Sequence, residues 1–147
     1  MSSTVLLVAN RTANTDRLRE AVRDRASRGA RAFHLVVPAI PHGLHRVVDP
    51  EVTGWQEGQA ALASALPSLS EAAGCEVSGE VGSADPIAAI QDALARRSFD
   101  EIVISTLPHR ISRWLRLDLP SKARGLGLPV AHVEAEAIPE PASAVTE

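Results

Sequence analysis

The chain has 147 residues, 45% of them hydrophobic, and a net charge of −3. That is enough for one domain with a real core, and it is the wrong balance for a general nucleic-acid binder. No apolar run approaches the ~18 residues of a membrane span. Met1-Ser2-Ser3, ahead of the first apolar run, offers neither a basic n-region nor a small-residue cleavage site, so no signal peptide is expected.

Val5 to Ala9 reads as strand one. Asn14-Thr15-Asp16 offers N-caps for a helix through about Arg28, stopped by Gly29. Leu18, Ala21, Val22 and Ala26 give it an apolar stripe at spacings of three and four. Phe33 to Val37 is strand two, and Pro38 to Pro50 is a loop rich in Pro, Gly and His. A long helix is expected over Glu51 to Ala73, kinked or restarted at Pro67 and ended by Gly74. Cys75 to Val81 alternates weakly, as an edge strand would, and is strand three. Asp85-Pro86 opens the next helix with a cap and a first-turn proline, and Ile87, Ile90, Ala93 and Leu94 form its buried stripe. Ile102 to Ile104 is strand four and Pro129 to Val133 strand five.

Strands one and four are apolar on both faces, as a parallel sheet covered on both sides requires. The alternation predicts a three-layer, doubly wound, five-stranded α/β domain of Rossmann-like type over residues 1–134. Residues 135–147 read as a disordered acidic end: the four glutamates after Val133 take the net charge from +1 over residues 1–133 to −3. One cysteine, Cys75, cannot form an internal disulfide, and with no export signal it points to the cytoplasm. Ligands of such sheets bind at the carboxyl ends of the strands where strand order reverses. In the order 3-2-1-4-5 that point lies between strands one and four, and Asn10, Arg11, Thr12, Ser105 and Thr106 face one crevice, with His109 in the loop beyond.

Asp100-Glu101-Ile102-Val103-Ile104 is similar to the D-x-I-V-x segment at strand four of the universal stress protein family. Gly82 followed by Asp85-Pro86 resembles that family's Gly-Asp-Pro start of a helix, with two extra residues, and Pro129-Val130 its entry to strand five. The resemblance covers roughly residues 4–133 and implies a stress-related role and dimers through strand five, along Val130, Ala131, His132 and Val133. ATP-binding members carry G-x2-G-x9-G-[ST] after strand four. Here those glycine positions hold Ser105, Pro108 and Asp118, with Leu119 in the Ser/Thr place, and Asn10 stands where the family has an aspartate. A phosphate cradle needs closely approachable N–H groups; Pro108 has none, and Asp118 repels phosphate. No cofactor is therefore expected, ATP included.

Placed on a helical wheel, residues 110–117 put Ile111, Trp114 and Leu115 on one side and Arg110, Arg113 and Arg116 on the other. The arginines read either as a solvated face or as a site for a small anion or a protein partner. Specific nucleic-acid binding is not expected, with two Phe, two Trp and no Tyr for base stacking. His42 and His45 are three apart but lack a third ligand at metal spacing, so no metal is expected. His34 and His132 lie within strands, as histidines whose ring nitrogens are bonded. A hydrolytic set of Ser105, His109 and Asp85 has no nucleophile elbow to support it. Cys75, with no basic neighbour to lower its pKa, reads as a small buried hydrophobe. The expectation is a non-enzymatic, homodimeric ligand- or partner-binding module. The alternative is a sensor or enzyme for a small anion or adenine nucleotide in an altered crevice.

Overall fold

The computed structural model describes residues 3–40 and 50–135. Five parallel strands alternate with helices: β1 (Ser3–Val8), α1 (Asp16–Ser27), β2 (Ala30–Pro38), α2 (Pro50–Ala73), β3 (Ser78–Gly82), α3 (Pro86–Arg96), β4 (Glu101–Thr106), α4 (Arg113–Arg116), α5 (Leu119–Arg124) and β5 (Val130–Glu134). The sheet order is β3-β2-β1-β4-β5, so the chain reverses direction across the sheet between β1 and β4, as expected.

The sheet separates two cores because successive side chains of a strand point to opposite faces. From β1 and the residue after it, Val5, Leu7 and Ala9 enter one core and Leu6 and Val8 the other. Leu18 and Val22 of α1, with Leu62, Ala65 and Leu69 of α2, close the first. Ala89, Ile90 and Ala93 of α3, with Trp114 of α4 and Leu119 and Ala123 of α5, close the second. Each fully buried Leu or Ile contributes roughly 1.5–3 kcal/mol, so the two-sided burial of β1 and β4 fixes their central place.

Local signals set the helix starts. Asp85 accepts the Ile87 N–H at 3.0 Å and Pro86 takes the first turn of α3. Gly29 and Gly74 end α1 and α2 at positive φ of 108° and 72°. Pro67 does not restart α2, which runs as one helix of 24 residues. Pro67 and Ala63 are both exposed, so the carbonyl that loses its helical partner faces water. Strand three begins at Ser78, three residues later than its alternation suggested. Cys75 is half-buried, and its thiol lies 3.6 Å from the Arg31 carbonyl oxygen. Among the described residues no helix is long and apolar enough to cross a membrane.

Candidate functional site

The crevice forms where the loop after β1 and the end of β4 diverge. Asn10, Arg11 and Thr12 line it from the first side, Ser105, Thr106 and Leu107 from the second. The Thr12 and Ser105 hydroxyls meet at 2.6 Å, both buried, and tie the two walls together. Asn10 donates its amide N–H to the Pro38 carbonyl at 2.5 Å, which fixes the end of β1 against the end of β2. These five polar residues are the ones that strand-end reasoning brings together.

Two residues that such reasoning misses also line the crevice: Ile40 and Trp114. Trp114 is only 9% exposed and packs into the second core. What remains is a cavity of about 60 Å³. That holds about two waters at ~30 Å³ each, against roughly 300–1,000 Å³ for a ligand pocket.

The segment after β4 explains how the tryptophan gets there. Pro108 opens a turn in which its carbonyl accepts both the Ile111 N–H, at 2.9 Å, and the Ser112 N–H, at 3.0 Å. Helix α4 then starts late, capped by the Ser112 hydroxyl on the Leu115 N–H at 3.2 Å. The expected helix over 110–117 is thus a turn plus the four residues of α4. This corrects one placement: Ile111 leaves the tryptophan side and is 41% exposed, because the wheel does not begin until Arg113. Of the three glycine-equivalent positions, Ser105 is a buried strand residue and Pro108 is the turn's acceptor. Asp118, at φ 57°, links α4 to α5 in the left-handed region. Asp118 thus keeps a backbone shape that glycine adopts freely, but brings an exposed carboxylate.

His109 is not among the crevice lining. Its backbone N–H donates to Glu134 Oε2 at 2.8 Å, and its ring Nδ1 lies 3.0 Å from the same oxygen. Those two hydrogen bonds hold the Glu134 carboxyl below its ordinary 4.5. Next to it, His132 Nε2 meets the Thr106 hydroxyl at 2.7 Å. Although the residue as a whole is exposed, partial desolvation lowers the His132 pKa from 6.5; Glu134 opposes that and Arg124 adds to it. Ser105, His109 and Asp85 therefore each bond elsewhere, to Thr12, Glu134 and the α3 amino end, and do not meet. His34 has both ring nitrogens bonded, to Ser78 at 2.7 Å and to Glu80 at 2.8 Å. Among the described residues no group of three ligating side chains could hold a metal; His42 and His45 lie outside them.

Arg110, Arg113 and Arg116 are all exposed, and none has a side-chain partner among the described residues. Val130, Ala131, His132 and Val133 form the free edge strand, with His132 exposed and the other three half-buried.

The architecture matches solved structures. A universal stress protein from Archaeoglobus fulgidus superposes with a TM-score of 0.60 at 20% identity, covering 89% of this chain and 93% of that one. A universal stress protein crystallised in complex with cAMP superposes at 0.59 and 17% identity, covering 91% of this chain and 98% of that one. The chain has the universal stress protein fold. No protein-family model matches it, and no curated protein does. The universal stress protein fold fixes where the crevice lies, at the switch between β1 and β4.

Proposed function

We propose that this protein works by binding rather than by chemistry: a cytoplasmic homodimer of universal stress protein fold, acting in a stress response on a ligand or partner, that does not hold ATP through the segment after β4. One observation carries the reading. Trp114 closes the switch-point crevice to about 60 Å³. The backbone around it supports the same conclusion, since Pro108 offers no N–H and Asp118 places a carboxylate at a turn that would have to approach phosphate. That Ser105, His109 and Asp85 are engaged separately supports a non-enzymatic role.

The cAMP complex of one structural neighbour favours a second reading, an adenine-nucleotide sensor using this crevice. It would require Trp114 to leave the core. Calorimetric titration with Mg-ATP, ADP and cAMP at ~0.15 M salt separates the two. We expect at most weak, salt-sensitive binding; a dissociation constant in the low micromolar range or tighter would overturn the proposal. Pull-down with and without Arg110, Arg113 and Arg116 tests the partner-binding arm.

A further inference from the structure

Beside the crevice lies a second cavity of about 470 Å³, bounded by the amino end of α3, by the α4 segment and by α5. Its volume falls within the range of small-molecule sites, and its lining has two characters. One side is apolar: Ile40, Ala84, Pro86 and Leu117. Leu117 is 51% exposed, a large aliphatic side chain left facing the opening. The other side brings two cations from different helices, Arg113 of α4 and Lys122 of α5.

Those cations are set apart by where they stand rather than by being unpaired. Arg19, Arg25, Arg28 and Arg96 each pair with a carboxylate. Arg113 and Lys122 have no ion pair or side-chain hydrogen bond among the described residues, although they converge on one concave surface. Among the described lining residues the acid is Asp85, which spends Oδ1 on the Ile87 N–H as the cap of α3. The described lining residues therefore sum to one positive unit, with Arg113 and Lys122 unspent and Asp85 turned to the helix end.

We propose that this cavity binds a small amphipathic anion, a carboxylate or phosphate-monoester head on a short apolar body. The head sits between Arg113 and Lys122 and the body lies against Pro86 and Leu117. An arginine fork grips either head in two places, and a lysine adds a point charge that needs no fixed geometry. The apolar wall sets the preference for a body over a bare ion. Asp85 disfavours a polyphosphate, whose second charge it would repel. The inference deepens the binding-protein reading by naming a ligand class and a place distinct from the crevice filled by Trp114.

Calorimetry on the full chain tests it, with hexanoate and phenyl phosphate as probes. Acetate and inorganic phosphate serve as heads without a body, and hexanol as a body without a head. We expect each probe to bind at least about tenfold more tightly than its truncated controls. The tighter of the two probes names the head. The double substitution Arg113→Gln, Lys122→Gln should weaken both by about tenfold or more, while Arg110→Gln, Arg116→Gln should not. Leu117→Ser should keep the cations but reduce the probes to the level of the bare heads; all five positions are exposed, so folding is retained. Probes that bind no better than acetate and phosphate, or an equal loss in the Arg110/Arg116 double variant, would overturn the site. Tight Mg-ATP binding with the probe preference intact would instead sink only the earlier reading.

Discussion

Trp114 shows how one side chain can decide what a crevice does. Truncating it removes the largest side chain in the switch-point crevice, and the expected cost is about 3–5 kcal/mol, the usual range for a buried Trp→Ala change. Urea denaturation of Trp114→Ala measures it. The enlarged crevice should still not bind Mg-ATP in the micromolar range, because Pro108 and Asp118 remain; micromolar binding would show the tryptophan alone had closed the site. A second residue-scale effect concerns acid. His132 is held below 6.5 in the fold, so the unfolded chain takes up a proton first as pH falls through 6.5. Stability therefore drops across that window, down to the folded pKa. Glu134 is held below 4.5, so its contribution is complete above that value and is lost as pH falls further. The melting temperature should fall as pH drops through about 6.5, and His132→Gln should flatten that step. An unchanged slope in His132→Gln would place the acid sensitivity elsewhere. Asn10, Thr12, Ser105 and Thr106 were legible because strand ends follow from strand assignment. Trp114 was not, since its direction depends on a turn whose hydrogen bonds are made by backbone.

At the scale of elements, β3 and α2 lie unusually close, and glycine allows it. A Cβ on Gly79 would stand 2.5 Å from Leu62 Cδ1 and 3.1 Å from the Leu35 carbonyl oxygen. One on Gly58 would stand 3.0 Å from Val81 Cγ1. The leucine can shift but the β2 carbonyl cannot, so Gly79→Ala should cost about 1–3 kcal/mol, the range for overpacking. A chemical melt showing less than ~0.5 kcal/mol, the scale of an ordinary surface change, would mean the edge strand gives way freely. This packing also explains why β3 read weakly in the sequence. Its second residue is a glycine that fits a neighbour, and Ser78 and Glu80 serve His34 rather than a core. Helix α5 was not legible at all: it is short, begins at a left-handed aspartate and carries Pro120 in its first turn. Lys122, and with it the second cavity, stayed hidden for that reason. Pro67 does not divide α2, because a proline on the wet side of a long helix can be carried by the core contacts of the opposite side.

The molecule as a whole was the most legible level, since two-sided apolar strands can only be central and the weak ones must be edges. Just past β5, Ala135 is buried and its N–H bonds the Thr106 carbonyl at 2.9 Å. The free side of β5 carries the last argument. The Ile102 N–H bonds the Pro129 carbonyl, and Ala135 bonds Thr106, so odd-numbered residues face β4. Backbone groups alternate in direction along a strand, which leaves those of Val130, His132 and Glu134 pointing away from the sheet. An unpaired row of this kind templates pairing with another strand, and a two-fold axis lets the same row pair with its copy. Light scattering should therefore give twice the 15.6 kDa of one chain. His132→Pro tests the geometry, because proline is tolerated on an edge strand whose N–H faces outward and removes only that outward donor. The expected outcome is a folded monomer. A wild-type chain that stays monomeric at every concentration would end the idea, and a His132→Pro dimer would move the interface off β5.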